Sequence, residues 1–152
     1  MGILEHLLSS ESPTERLLNE VADVAGRVES LVERLNRHAA MCAYPNIKAG
    51  LEQIAAREIV HLKALKAILA DNGMWPRPPE PPSHQGSSNW GRLGGDLELL
   101  ADISRLVNRQ AVNWEPVDEQ MAQQLSAMYA EDYDNTSMLR DLTLKCDPHA
   151  LD

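Results

Sequence analysis

Phenylalanine is absent from this sequence, and tryptophan and tyrosine together supply only six residues. A core of stacked aromatic rings is therefore excluded, and the interior must come from Leu, Ile, Val, Ala and Met within a hydrophobic fraction of 43%. Positive charge is scarce as well: 14 Lys and Arg against 23 Asp and Glu leave a formal charge of -9. No basic stripe is available to displace counterions from a phosphate backbone, which argues against a nucleic-acid partner. No apolar run reaches the ~18–20 residues that cross a bilayer, and the opening MGILEHLL is too short and too acidic for a signal peptide. A soluble, cytoplasmic protein with no membrane partner is the expectation. The two cysteines, Cys42 and Cys146, stand alone at the ends of helical segments without CxxC spacing. They are expected to be free thiols that could bridge only if the chain ends met. There is no Gly-rich phosphate loop, no GxSxG and no Cys-His nucleophile pair, so hydrolase and nucleotide chemistry have no foothold.

What the chain does have is helical periodicity. Its 152 residues are one domain's worth, expected to form a single unit over 1–152. Ser12-Pro13-Thr14-Glu15 combines an N-cap, a proline at the first helical position and the glutamate of a capping box. A first helix is predicted over 13–43, with Leu17, Val21, Val24, Val28, Leu31 and Leu35 on one face. A second, over 47–72, carries Ile47, Leu51, Ile54, Glu58, His61, Leu65 and Ile68. Residues 73–90 include five prolines and have no period, so they read as a long extended crossover joining opposite ends of the molecule. Trp75 and Trp90 are expected to cap the bundle, an SH3-type ligand being the weaker reading of that segment. A third helix is predicted over 91–114 and a fourth over 117–146, the latter lined by Met121, Leu125, Met128, Asp132, Asn135, Leu139 and Leu142. The fold class is all-α: a four-helix bundle of two antiparallel hairpins with a Pro-rich crossover between helices 2 and 3. Ile3, Leu4, Leu7 and Leu8 add a short N-terminal helix whose apolar face must dock on its own bundle or on a neighbour, pointing to a homodimer.

The two hairpins repeat. A shift of 74 residues carries Ile47 to Met121, Leu51 to Leu125, Ile54 to Met128, Leu65 to Leu139 and Ile68 to Leu142. The same shift carries Glu58 to Asp132 and His61 to Asn135, so the polar residues on the two inner faces occupy equivalent places. A shift of 72 aligns helices 1 and 3 and sets His38 against Gln110, which are expected to pair across one end of the bundle. His38 lies too far along the helix to share an ion with His61, and His6, His84 and His149 have no ligand spacing.

Residues three apart share a helix face, so the Glu58 carboxylate and His61 imidazole can converge on one point in the core. Di-iron bundles take a Glu-x-x-His from each of two helices and one further Glu from each of the others. On this motif and the hairpin–crossover–hairpin order, residues 13–146 resemble the ferritin-like superfamily, nearest to its rubrerythrin-type branch. The resemblance implies a metal centre of iron or manganese with oxygen or peroxide chemistry. Only Glu58 and His61 match the motif as written; helix 4 offers Asp132 with Asn135 in place of histidine. Helices 1 and 3 present Val28, Leu31, Val32, Leu99, Leu100 and Ile103 toward the site, and Glu29 and Glu98 lie off the seam. The di-iron site is thus read as degenerate.

Two carboxylates and one imidazole cannot balance two ferrous ions in a low-dielectric core. The reading favoured by the residues is a non-enzymatic structural or interaction module with no cofactor, in which Glu58, His61, Asp132 and Asn135 form a buried hydrogen-bonded network. The alternative is a redox protein, ferroxidase- or peroxidase-like, holding one divalent ion of iron, manganese or zinc at Glu58, His61 and Asp132, with Asn135 a weak ligand. The acidic run around Glu131 is expected to be solvated.

Overall fold

A computed structural model describes residues 11–78 and 88–146; the expected N-terminal helix and the middle of the crossover lie outside them. Four helices follow in chain order: α1 (Pro13–Met41), α2 (Pro45–Ala70), α3 (Asn89–Trp114) and α4 (Glu119–Lys145). Capping chemistry sets the starts. Ser12 Oγ accepts from the Glu15 amide at 3.1 Å while the Glu15 carboxylate accepts from the Ser12 amide at 3.3 Å, so two orphan donors of α1 are satisfied reciprocally. Ser88 and Asp118 accept from the amides of Gly91 and Met121, each at 3.1 Å. The last cap moves the start of α4 two residues past the expected position and leaves Val117 exposed outside the helix.

α1 packs on α2, α3 on α4, and the hairpins meet along α1–α3 and α2–α4. Both inter-hairpin contacts are antiparallel. Glu58 meets Asn135 and His61 meets Asp132 along α2–α4, whereas His38 meets Asp96 and Glu20 meets Gln110 along α1–α3. This corrects the expected pairing of His38 with Gln110. Residues matched by the internal repeat are symmetry counterparts, and antiparallel packing sends them to opposite ends. His38 Nδ1 instead contacts the fully buried carboxylate of Asp96, which Arg34 Nε approaches at 3.0 Å. Gln110 donates to Glu20 and accepts from Trp114 Nε1 at 3.0 Å. Trp75 and Trp90 do not cap the bundle, being 78% and 49% exposed; Trp114 is the buried tryptophan.

The core is aliphatic, with Leu31, Leu35, Leu51, Ile54, Leu65, Leu100, Ile103, Leu125 and Leu139 fully enclosed. After α2 the chain turns at Gly73, φ 68, and its next residues cross α1. The Arg77 amide donates to Ala22 O at 3.0 Å, and a Cβ on Gly26 would stand 1.8 Å from the Arg77 carbonyl oxygen. Glycine at 26 lets the crossover lie directly on the helix. No helix among the described residues is long and apolar enough to cross a membrane. Cys42 and Cys146 are both free thiols.

Candidate metal centre

Strict spacing on α2 and α4 puts Glu58, His61, Asp132 and Asn135 on the seam between the hairpins, and all four are buried. His61 Nδ1 stands 3.3 Å from Glu58 Oε2 and 3.1 Å from Asp132 Oδ1. Asn135 Nδ2 donates to Glu58 Oε1 at 2.9 Å, and its carbonyl oxygen accepts from Arg57 at 3.3 Å. The amide is therefore occupied on both sides, by Glu58 and by Arg57.

The other imidazole nitrogen reaches a residue expected to be solvated. His61 Nε2 lies 2.6 Å from Glu131 Oε2, although the Glu131 side chain is 64% exposed. A histidine that offers one nitrogen to a site and anchors the other on a carboxylate has its ring orientation fixed. Periodicity missed this contact because Glu131 is off the seam; the signal available was its place next to Asp132, within reach of an inward imidazole's far nitrogen.

Asp132 has no such support. Its two oxygens are buried and meet only the other members of the cluster, Oδ1 lying 3.1 Å from His61 Nδ1 with the Glu58 carboxylate beside it. Burial raises the Asp132 pKa, and the nearby Glu58 charge adds to this, offset in part by His61; the result is about 8. Burial also works against the imidazolium of His61, but Asp132, Glu58 and Glu131 outweigh it and lift that pKa to about 11. For Glu58, burial acts upward, yet His61, Asp132 and Asn135 together lower its pKa below 4.5. At neutral pH the metal-free core is thus Glu58 ionised, His61 protonated and Asp132 holding a proton, which sums to zero charge.

One ligand atom each from Glu58, His61 and Asp132 lie within 4.8 Å of one another. Donors bound at about 2.1 Å around a tetrahedral ion are ~3.4 Å apart, close to the 3.1 and 3.3 Å separations of Nδ1 from the two carboxylates. Three buried donors at these separations could hold a metal ion. Among the described residues α1 and α3 bring one buried carboxylate, Asp96, and it is held by His38 and Arg34. Glu29 stands 3.9 Å from Lys66 at the surface, and Glu98 is exposed.

No protein-family model and no curated protein matches the sequence. Solved structures do. A ferritin-like, di-iron-carboxylate protein from Bacillus anthracis str. Ames superposes with a TM-score of 0.79 at 14% identity, over 88% of this chain and 99% of the other. The fold is ferritin-like. In this ferritin-like bundle the candidate ligands come from the two helices, α2 and α4, that face each other across the hairpin interface.

Proposed function

We propose that this chain is a metal-binding ferritin-like protein that holds a single divalent ion, iron, manganese or zinc, at Glu58, His61 and Asp132. The observation that carries the reading is the convergence of three buried side chains, Glu58, His61 and Asp132, with one ligand atom of each within 4.8 Å of the others. Two buried carboxylates sharing one imidazole cost several kcal/mol unless one of them keeps a proton or both meet a cation. A divalent ion replaces two protons, one from His61 and one from Asp132, and leaves the core neutral. A reduced relative of a di-iron-carboxylate centre is the consequence, with Asn135 standing where a second histidine would complete the motif.

The chain's residues then have separable roles. Glu58 and Asp132 supply charge, and His61 supplies a neutral nitrogen. Asn135 steadies Glu58, and Glu131 holds the His61 ring and offers a surface carboxylate through which protons leave the site. Bound iron or manganese would supply one-electron chemistry toward oxygen or peroxide, and zinc would supply Lewis acidity.

The test is elemental analysis of tag-free protein beside its Glu58→Ala/His61→Ala variant. About one equivalent of metal, lost in the variant, supports the proposal. If wild-type protein binds none of the three ions after reconstitution, the neutral hydrogen-bonded core is the functional state, and the chain acts as a non-enzymatic interaction module. Self-association as a homodimer is part of either reading, on the strength of the apolar Ile3, Leu4, Leu7 and Leu8 in the sequence, and sedimentation velocity tests it.

A further inference from the structure

Away from the metal centre, a cleft of 350 Å³ opens where the crossover passes over α1, lined by Asp23, Arg27, Ser30, Arg34, Arg77, Pro78 and Leu99. Ten arginines serve the whole chain of net charge -9, and three of them line this one cleft. We propose that the cleft is a binding site for a small oxyanion, a phosphate or phosphomonoester group.

Each guanidinium is presented differently. Arg34 is built in: its Nε lies 3.0 Å from Oδ1 of the fully buried Asp96, and its side chain is only 17% exposed. A Cβ on Gly95 would come within 2.9 Å of Arg34 Nη2, so the absence of a side chain there makes room for the head group. An arginine anchored through Nε keeps its remaining N–H donors free and loses little freedom when a ligand arrives. Arg27 lies two turns earlier on α1, on the same face, and has no ion pair among the described residues. Arg77 is carried in by the crossover, whose backbone is fixed to Ala22 O at 3.0 Å and against Gly26. Its pair with Asp23, 2.9 Å long, is exposed on both sides. Such a pair contributes little and can open toward a better acceptor.

Charge selects the ligand. Three arginines against Asp23 and Asp96 leave one positive charge in excess, and swinging Asp23 away from Arg77 leaves two for a dianion. The surrounding negative charge slows approach of an anion, but at physiological salt it is screened beyond about 8 Å, whereas the guanidiniums act at contact. Tetrahedral oxyanions accept forked N–H pairs from several arginines at once, and Ser30 adds a hydroxyl donor. The cleft lies outside the Glu58, His61 and Asp132 group, so the proposal stands or falls independently of the metal.

The test is calorimetric titration with inorganic phosphate and, separately, a phosphomonoester such as glycerol phosphate, at constant ionic strength set by chloride. Wild-type protein is expected to bind one equivalent. Arg27→Gln and Arg77→Gln, both at exposed positions, should each weaken binding about 10-fold with unchanged melting temperature. Tighter binding of the ester than of phosphate would assign the remaining cleft volume to an organic substituent; equal binding would assign the site to the oxyanion alone. Saturation absent at 10 mM (roughly, a free energy of -3 kcal/mol or weaker), or binding untouched by both substitutions, overturns the proposal.

Discussion

Glu58 accepts a hydrogen bond from Asn135 at 2.9 Å, and the internal repeat turns that contact into the 3.1 Å approach of His61 to Asp132. Shifting by 74 residues maps Glu58 on Asp132 and His61 on Asn135, while antiparallel packing pairs the opposite members. The pseudo-two-fold axis therefore passes through the centre of the cluster. One half is a carboxylate with an amide, the other a carboxylate with an imidazole. The amide satisfies its carboxylate without a metal; the imidazole shares one nitrogen between Asp132 at 3.1 Å and Glu58 at 3.3 Å.

Asn135→His follows from that asymmetry. It would restore a second carboxylate-x-x-His motif and is expected to tighten metal binding by about 10-fold or more, still with one equivalent because no further buried carboxylate is at hand. The metal-free protein should lose about 1–3 kcal/mol, since Glu58 loses its amide donor and Arg57 faces a basic ring instead of a carbonyl oxygen. Metal titration and urea unfolding of the same variant separate the two effects. A second equivalent of metal would show that the charge argument against two ions is mistaken.

Metal binding should release protons. With His61 at about 11 and Asp132 at about 8, both hold a proton at pH 7 and must give it up to ligate. The logarithm of the affinity is expected to rise by about two per pH unit near pH 6–7 and by about one above pH 8–9, as Asp132 becomes ionised before the metal arrives. Calorimetry in buffers of different ionisation enthalpy counts these protons directly. A pH-independent affinity would mean that the ion binds elsewhere.

Much of this arrangement is legible before any coordinates, because a buried helix face must keep its period. The seam Ile47, Leu51, Ile54, Glu58, His61, Leu65 and Ile68 is buried throughout, as is the Asp132 and Asn135 layer of α4. Asp96 is legible in the same way: Leu93, Asp96, Leu100, Ile103, Val107, Gln110 and Trp114 alternate strictly by three and four, and every one is buried. Its neighbour Leu97, the more usual core residue, is only partly buried. Contacts between helices are a different matter. Period fixes which way a side chain faces but not which residue of the partner helix stands opposite. Hence His38 meets Asp96 instead of its repeat counterpart Gln110, and Glu131, off the seam, reaches His61. Arg34 and Arg77 come together through the crossover, whose path no local pattern specifies.

Stability of the metal-free protein should fall on the alkaline side. Asp132 and His61 both have folded-state pKa values above their ordinary 3.8 and 6.5, so folding favours the protonated forms. Their contribution is fully present below those ordinary values. It is lost as pH rises through about 8 for Asp132 and about 11 for His61, with a slope of up to ~1.4 kcal/mol per pH unit for each proton. Glu58 has the opposite sign and weakens the protein as pH falls below 4.5. Asp132→Asn keeps the shape and removes one titration. It should flatten the loss of stability between pH 4 and 8 while weakening metal binding by ~100-fold or more. Urea midpoints across this range, with chelator present, check the first half. An unchanged pH profile in the variant would place the proton on another group.

Gly26→Ala tests how the crossover is held. The new Cβ would meet the Arg77 carbonyl oxygen at 1.8 Å, and that atom belongs to backbone, so no side-chain rotation relieves the clash. Alanine favours the α1 helix by about 1 kcal/mol over glycine, which on an exposed helix would make the variant more stable. Here the segment around Arg77 must lift off α1, breaking the Arg77 amide bond to Ala22 O. Overpacking of this kind costs about 1–3 kcal/mol, so a net loss of stability is expected despite the gain in helix propensity. The metal centre, carried by α2 and α4, should be untouched. Unfolding measurements paired with metal titration distinguish the cases: lower stability with wild-type metal affinity supports a crossover pinned at Gly26. A stabilised variant would show that the chain passes clear of the helix in solution, and Arg77 would then not be presented to the oxyanion cleft.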